Sequence, residues 1–303
     1  MWGKGDKRQA RATGRCAGGC AMISCSPSPA RDDRVPRRAP MHIERLGPYL
    51  GVRVTGLDLR DLTIADRPMI RDLLEEHLVL FFEGQDLSEE QFKTYGQVVG
   101  DLDNLVLLSN EKQDEPAVQI VEMKPGTVRG LYTDSWHSDA CYLERPPYAT
   151  TIKPVHLPPI GGDTIWASMY AAYELMAEPL RRLADELQVV QAINRFEHVH
   201  PVVRVNPRTG RRALYVNSVF SQRILGVSKV ESQQLIDMFC TLATIPDVQV
   251  RYRWTPHTVA IWDNRFTQHY AVADYTAPRK MHRLTIMGEP VLGVKDWRAE
   301  AAE

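Results

Sequence analysis

Short apolar runs, each bounded by turn residues, recur along the chain from residue 42 to residue 287. Runs of about four to eight β-branched, aromatic and aliphatic residues are typical of strands rather than helices. We predict two strands around the turn Gly47-Pro48-Tyr49 in segment 42–57, and single strands at 78–82, 118–123, 136–142, 148–155, 188–196, 214–216, 248–254, 259–262 and 282–287.

Four segments instead repeat apolar residues with the period of an α-helix: 64–77, 88–99, 167–186 with an interruption at Pro179, and 228–242. Ser88 and Ser228 each precede a Gln or Glu three residues later, the pattern of a capping box at a helix start. The inner face of the last helix is predicted to be Leu235, Met238, Phe239 and Leu242. Many strands with a few outer helices indicate one mainly β domain, a sandwich or jelly roll of about 260 residues.

The first forty residues differ from the rest in charge. They contain 9 Lys/Arg and 3 Asp/Glu, a net charge of +6, whereas residues 41–303 contain 28 and 35, a net charge of −7. Since they also show no hydrophobic period, we predict a disordered basic extension at residues 1–40 and one folded domain at residues 41–303. No apolar run reaches the roughly 18 residues of a membrane span, and the acidic domain has no nucleic-acid footprint.

Cysteine usage is typical of a cytoplasmic protein. Cys16, Cys20 and Cys25 lie in the extension and lack a fourth ligand for a zinc site. The domain itself contains only Cys141 and Cys240, which fits a reducing compartment. A transit peptide is the alternative for a basic N-terminus, but this one lacks an amphipathic stripe. The sequence leaves the oligomeric state open, a homo-oligomer included.

One stretch carries the strongest chemical signal: Trp136-His137-Ser138-Asp139. In an extended strand the side chains of His137 and Asp139 point to the same face, so an imidazole and a carboxylate converge. His269 offers a second imidazole. Two His and one carboxylate that leave several coordination positions open are the facial triad of non-haem Fe(II) oxygenases. A His-x-Asp alone is weak support, because the chain has nine histidines.

A second signal lies in Arg279-Lys280-Met281-His282-Arg283. If this segment enters a strand, Arg279 and Arg283 share one face and project toward the same space. The guanidinium fork binds carboxylates and sulfonates through two hydrogen bonds, so the pair favours an anionic ligand. Ion pairs with surface acids are the alternative interpretation.

Residues from about Met41 to Pro290 resemble the taurine dioxygenase family of Fe(II)- and 2-oxoglutarate-dependent oxygenases. The matching motifs occur in the family's order: Leu46-Gly47-Pro48-Tyr49, Trp136-His137-Ser138-Asp139, Gly161-Gly162-Asp163-Thr164, His200-Pro201-Val202-Val203-Arg204, Trp262 to Tyr270, and Met281-His282-Arg283. Several motifs in one order are far more specific than any single one. The resemblance implies a double-stranded β-helix, a jelly roll with helices on its outside, in agreement with the strand pattern.

The resemblance also implies roles for individual residues. The iron ligands are His137, Asp139 and His269. The cosubstrate 2-oxoglutarate contacts Thr164 at one end and Arg279 at its distal carboxylate. Substrate contacts are assigned to Arg283, Phe220 and Trp262, with plain core packing as an equal alternative for the two aromatic residues.

The implied reaction consumes dioxygen and 2-oxoglutarate, releases succinate and CO2, and hydroxylates a small anionic substrate such as a sulfonate, a sulfate ester or a carboxylate. Two departures limit the substrate assignment. The segment Gly100 to Leu107 has no histidine where the taurine-binding enzyme has a His-rich stretch. The long segment that covers the site ahead of His200 is mostly missing, since Asn194 to Glu197 almost adjoin it.

These departures predict a more open pocket that admits a bulkier substrate, and Asp101 and Asp103 favour one with an amine. The competing class is a zinc-binding or non-catalytic jelly-roll protein that uses the same triad. The arginine pair disfavours it, because a hydrolase needs no dicarboxylate clamp. A halogenase is disfavoured because Asp139 fills the position that such enzymes leave empty for halide.

Truncation tests the predicted domain boundary. A chain that starts at Met41 is expected to keep the melting temperature and activity of the full chain, because residues 1–40 are predicted to bury no apolar surface. Thermal unfolding of both chains, followed by circular dichroism, measures the difference. A large fall in melting temperature would mean that the extension packs on the domain.

Overall fold

Strands dominate this computed structural model, which describes residues 40–103, 105–106, 111–112, 118–123 and 132–300. The strands are β1 (His42–Arg45), β2 (Val52–Thr55), β3 (Val79–Phe82), β4 (Leu105–Val106), β5 (Glu111–Lys112), β6 (Gln119–Met123), β7 (Ala149–His156), β8 (Thr164–Ser168), β9 (Gln188–Ile193), β10 (Phe196–Pro201), β11 (Val203–Val205), β12 (Arg212–Leu214), β13 (Ser221–Ile224), β14 (Gln249–Tyr252), β15 (Val259–Asp263), β16 (Thr267–Ala271) and β17 (Arg279–Ile286). The helices are α1 (Arg67–His77), α2 (Glu89–Val99), α3 (Met169–Glu174), α4 (Glu178–Glu186), α5 (Lys229–Ala243) and α6 (Val294–Glu300). The predicted extension lies outside the described residues, apart from residue 40.

Strand β3 has apolar neighbours on both faces. Val79 and Phe81 belong to one buried cluster, whereas Leu80 and Phe82 belong to another. A strand covered on both sides has a continuous apolar sequence instead of an alternating one. It lies next to β15 in a seven-stranded sheet, here called the large sheet, of order β1-β2-β3-β15-β7-β17-β6. The named strand pairs of this sheet are antiparallel except β2 with β3.

The inner face of the large sheet packs against a second, three-stranded sheet of order β14-β8-β16. Large aromatic side chains fill the space between them. The ring of Trp166 on β8 lies 5.4 Å from that of Phe81 and 5.6 Å from that of Trp262 on β15, both edge to face. Two packed, largely antiparallel sheets form the jelly roll, so the predicted fold class is confirmed.

Helices α1 and α2 cover the outer face of the large sheet. Ile70 and Leu74 of α1 and Phe92 of α2 share their apolar cluster with Leu80 and Phe82. The capping box predicted at Ser88 is present, because its hydroxyl accepts from Gln91 N and the Gln91 side chain accepts from Ser88 N. Within the described ranges, no helix is long and apolar enough to cross a membrane.

Several predicted elements have different bounds in the structure. The helical segment 167–186 is two helices, α3 and α4, separated at residues 175–177, with Pro179 in the first turn of α4. The strand predicted at 188–196 ends at Ile193, and the chain reverses into β10. Asn194 adopts a positive φ of 51° at this reversal, which Asn tolerates better than most residues. The strand predicted at 214–216 begins and ends two residues earlier, as β12 (Arg212–Leu214).

The inner face predicted for α5 is correct at Phe239, and Leu235, Met238 and Leu242 pack partly buried against the same core. The buried residues of the helix are Ser232, Ile236, Phe239 and Ala243. Ser232 is buried despite its polarity because its hydroxyl accepts a 2.8 Å hydrogen bond from Ile224 N of β13. A hydrogen-bonded hydroxyl loses little on burial, so Ser232 can lie on the buried face of α5.

Candidate metal centre and cosubstrate cavity

A pair of backbone hydrogen bonds joins the two candidate histidine ligands. His137 N donates to His269 O at 3.2 Å, and His269 N donates to His137 O at 2.8 Å. This is an isolated antiparallel bridge to the middle of β16, so the strand predicted at residues 136–142 does not form. The two imidazole rings therefore lie side by side, with centroids 4.2 Å apart.

Asp139 follows in a turn, not in an extended strand as predicted. Its backbone is held by Asn264 on the connection between β15 and β16: Asp139 N donates to Asn264 Oδ1 at 2.7 Å, and Asn264 Nδ2 donates to Asp139 O at 2.9 Å. Ser138 Oγ donates to Thr267 O at 2.8 Å. These contacts, and not the period of a strand, bring the Asp139 carboxylate beside both imidazoles.

The three predicted ligand atoms meet at one buried point. Asp139 Oδ1 lies 3.8 Å from His137 Nε2 and 3.9 Å from His269 Nε2. One ligand atom from each of the three residues lies within 4.8 Å of the other two, and all three residues are buried. Metal–ligand bonds of about 2.0–2.2 Å span up to about 4.4 Å between two donors, so the two distances from Asp139 Oδ1 to the imidazole nitrogens fit a single ion.

The protonation states of the three candidate ligands favour metal binding. His137 Nδ1 lies 2.7 Å from the carbonyl oxygen of Ser135, which only accepts, so Nδ1 carries the proton and Nε2 has a free lone pair. Burial lowers the pKa of His137, and burial with the neighbouring His137 lowers the pKa of His269 to about 3. Burial opposes ionisation of Asp139, yet the neighbouring Arg283 and the hydrogen bond from Thr150 lower the pKa of its carboxyl. Neutral imidazoles and an ionised carboxylate are the forms that bind a metal.

A cavity beside His269 contains both residues predicted to bind the cosubstrate. Its lining includes Thr164, Arg279 and Arg283, and its apolar wall includes Trp254 and Trp262. The cavity lies between the two sheets, because β8 and β16 supply one side and β15 and β17 the other. A largely apolar cavity with a few converging polar groups is typical of a small-molecule site.

Arg279 is held at the start of β17 by the Gly161-Gly162 turn. Its Nε donates to Gly162 O at 3.1 Å, and Gly162 has a positive φ of 74°. A Cβ at Gly162 would lie 3.1 Å from Arg279 Cδ, so glycine permits the close approach. Asp274 fixes the same turn, because its Oδ1 accepts from Gly162 N at 2.8 Å. The Arg279 side chain is thereby aimed by a rigid turn.

Arg283 lies on the same face of β17 as Arg279, as predicted, and is 5% exposed. Its Nη2 donates to Gln119 Oε1 at 2.8 Å, and its Nη1 lies 3.7 Å from Asp139 Oδ1. The alternative of surface ion pairs was therefore wrong, since Arg283 is buried next to a metal-ligand candidate. Burial lowers the pKa of Arg279, which is 4% exposed.

The two predicted aromatic residues lie near different metal-ligand candidates. Trp262 lines the cavity with its ring 4.8 Å from that of His269. Phe220 lies 6.3 Å from the His137 ring, in an apolar cluster with Cys141 and Tyr142. Core packing describes both residues, and a substrate contact remains a prediction for each.

Three contacts of the site have little or no signal in the sequence. Trp254 Nε1 donates to Thr164 Oγ1 at 3.0 Å, which leaves the Thr164 hydroxyl proton free for a ligand. Thr150 Oγ1 donates to Asp139 Oδ2 at 2.8 Å. Asn264 lies inside the motif Trp262 to Tyr270, but its pairing with Asp139 is a long-range contact that the motif does not predict. The sequence indicates only that Asn264 lies between an apolar strand and His269.

The sequence of this chain is similar to those of known proteins over most of its length. Residues 42–285 match the family described as taurine catabolism dioxygenase TauD, TfdA family. The chain is 34% identical to an alpha-ketoglutarate-dependent sulfate ester dioxygenase from Pseudomonas putida, over 86% of this chain and 93% of that one. It is 30% identical to an alkylsulfatase from Acinetobacter baylyi, over 84% of this chain and 87% of that one.

Solved structures agree with the fold. A crystal structure described as a putative alpha-ketoglutarate-dependent taurine dioxygenase from Burkholderia xenovorans superposes with a TM-score of 0.76 at 32% identity. The match covers 84% of this chain and 96% of that chain. The similarity therefore extends over nearly the whole described domain, not over the motifs alone.

Removal of one imidazole tests the metal site. His137→Ala and His269→Ala are expected to lose bound Fe(II) and activity together, because two remaining protein ligands hold this ion weakly. Metal content after anaerobic loading and desalting measures the loss. His77→Ala is the matched control, since it removes a buried imidazole on α1. Iron content equal to that of the parent in either ligand variant would contradict the assignment.

Proposed function

This chain belongs to the taurine catabolism dioxygenase TauD, TfdA family, and from that premise we propose that it binds Fe(II) through His137, Asp139 and His269. It is a 2-oxoglutarate-dependent dioxygenase. The observation that carries the proposal is the convergence of one carboxylate and two neutral imidazoles on a buried point beside a cavity with two arginines. The donor set is the one typical of non-haem Fe(II) oxygenases.

The cosubstrate is proposed to lie between Thr164 and Arg279. Arg279 offers a buried guanidinium for the distal carboxylate, and Thr164 has its hydroxyl oriented by Trp254. A charge-assisted hydrogen bond in a cavity with apolar walls is stronger than one in water. The Gly162 turn holds Arg279 in place, so little side-chain entropy is lost on binding.

Charge within the site favours anionic ligands. A divalent ion, two guanidinium groups and the Asp139 carboxylate carry a net excess of three positive charges, since the histidines are neutral. A dianionic cosubstrate and a monoanionic substrate neutralise this excess, and uncompensated buried charge is costly. The names of the relatives, sulfate ester dioxygenase and alkylsulfatase, support a small organic sulfate or sulfonate as the substrate class.

When bound, Fe(II) and 2-oxoglutarate supply the oxidising chemistry, in which dioxygen converts the cosubstrate to succinate and CO2 and hydroxylates one substrate C–H bond. The residues of the chain provide position and electrostatics. Three protein ligands on one face leave the other coordination positions for small molecules. His137 keeps its tautomer through Ser135, and the indoles of Trp254 and Trp262 exclude water from the cavity wall.

Coupled product formation tests the function. The Fe(II)-loaded protein is incubated with 2-oxoglutarate, dioxygen and one member each of the alkyl sulfates, sulfonates, carboxylates and amino acids, and succinate is measured. We expect succinate to rise above the substrate-free level with an anionic substrate and to stay at background with His137→Ala. No succinate above background with any class, despite bound iron, would contradict the oxygenase assignment and favour the zinc alternative.

The two arginines are expected to separate cosubstrate binding from substrate binding. Arg279→Gln removes a charge-assisted contact worth about 1.5–3 kcal/mol, so the affinity for 2-oxoglutarate should fall on the order of 10- to 100-fold without any substrate. Anaerobic titration of the Fe(II) protein with 2-oxoglutarate, followed by the metal-to-ligand charge-transfer absorption, measures it. Unchanged affinity would contradict the clamp.

Arg283→Gln is the matched comparison, because the same substitution is made on the same face of β17. At saturating Fe(II) it should leave the 2-oxoglutarate affinity near that of the parent and raise the KM for the anionic substrate. Equal weakening of cosubstrate binding by both substitutions would mean that both arginines serve the cosubstrate, or that Arg283 holds Arg279 in place.

A further inference from the structure

We propose that Thr150 is a positioning residue that fixes Asp139 as a ligand through one carboxylate oxygen and selects Oδ1 as that oxygen. The proposal rests on the metal assignment made above. It concerns a residue of the large sheet that belongs to none of the motifs in the chain.

The geometry at Asp139 is asymmetric. Thr150 Oγ1 donates to Oδ2 at 2.8 Å, whereas Oδ1 is the oxygen that lies 3.8 Å from His137 Nε2 and 3.9 Å from His269 Nε2. One carboxylate oxygen thus faces the imidazole nitrogens, and the other faces a hydroxyl donor. A hydrogen bond to an ionised acceptor is short and strong, so it resists rotation of the carboxylate about its Cβ–Cγ bond.

Thr150 is itself rigid. It lies on β7 with Trp262 of β15 on one side and Thr285 of β17 on the other, and it is fully buried. Threonine is restricted at χ1 by its branched Cβ, so a hydroxyl on a central strand has a well-defined direction. The backbone of Asp139 is fixed separately by Asn264, and Thr150 fixes the remaining freedom of the side chain.

The number of carboxylate oxygens on the metal decides how many positions stay open. A carboxylate binds metals through one or both oxygens. Binding through both would occupy a further position, and the facial triad depends on open positions. With Oδ2 engaged by Thr150, Asp139 contributes one oxygen. Loss of a residue that hydrogen-bonds to a metal ligand, without touching the metal, typically weakens metal binding on the order of 10- to 100-fold.

The chain provides a matched control in the next residue. Thr151 is also fully buried on β7, and its hydroxyl also donates one hydrogen bond, at 2.9 Å to Ala260 O. Because successive residues of a strand point to opposite faces, Thr151 points away from Asp139. Thr150→Val and Thr151→Val thus remove the same group from neighbouring sites, and only the first changes a contact of Asp139.

The experiment uses the full-length protein stripped of metal and titrated anaerobically with Fe(II) and, separately, with Co(II), whose visible spectrum reports coordination geometry. Thr150→Val is expected to bind both ions on the order of 10- to 100-fold more weakly and to change the Co(II) spectrum. Thr151→Val should match the parent in affinity and spectrum. Thr150→Ser, which keeps the hydroxyl, should restore affinity and spectrum toward the parent.

Thermal unfolding of the metal-free variants separates these effects from stability, since both valine substitutions should lower the melting temperature similarly. Equal metal affinity and an unchanged Co(II) spectrum in Thr150→Val would overturn the role of Thr150 while leaving the metal assignment intact. Absence of metal binding in the parent itself would instead overturn the proposed function, and the role of Thr150 with it. If Thr150→Val does not fold, the comparison of Thr150→Ser with Thr150→Ala decides.

Discussion

The pairing of residues 137–139 with residues 264–269 is the interaction on which the site depends. Two backbone hydrogen bonds join His137 to His269, and two more join Asp139 to the side chain of Asn264. These groups are buried, so leaving any of them unpaired would cost free energy comparable to the desolvation of an amide. The pairing therefore satisfies buried polar groups and brings three ligand candidates together at the same time.

Electrostatics imposes a second constraint. The site buries one carboxylate next to two arginines, and the imidazoles beside it stay neutral because burial lowers their pKa values. Arg283 donates to Gln119 and lies near Asp139, whereas Arg279 donates to the carbonyl of Gly162 and has Asp163 as its charged neighbour. An anionic ligand that reaches Arg279 would bind a guanidinium whose direct hydrogen bond goes to a neutral carbonyl. Burial of guanidinium groups costs free energy unless they are paired with negative charge, and the same burial gives the site selectivity for anions.

The hairpin of β9 and β10 alters the surroundings of the site. Where relatives in the resemblance have a long covering segment, residues 188–201 turn directly at Asn194. Phe196 of this hairpin packs 5.9 Å from Tyr142, whose ring lies 5.1 Å from that of Phe220. An aromatic wall thus continues from His137 to the hairpin. The more open pocket stays a prediction from the sequence, and a substrate with an apolar part, which this wall would contact, is likewise a prediction.

The sequence by itself determined the mainly β fold, the two outer helices and the identity of the candidate ligands. A continuous apolar run such as Val79 to Phe82 is a local property, and it already indicates a strand that is buried on both faces. The family motifs are likewise short runs of residues that can be recognised without coordinates. Tertiary structure decided the face that α5 buries and the turn at Asp139. It also decided the contact from Thr150 to Asp139, because each of these features depends on contacts between different elements. Spacing along a strand or helix fixes directions only within that element, whereas the position of one element relative to another is set by packing and by hydrogen bonds between them.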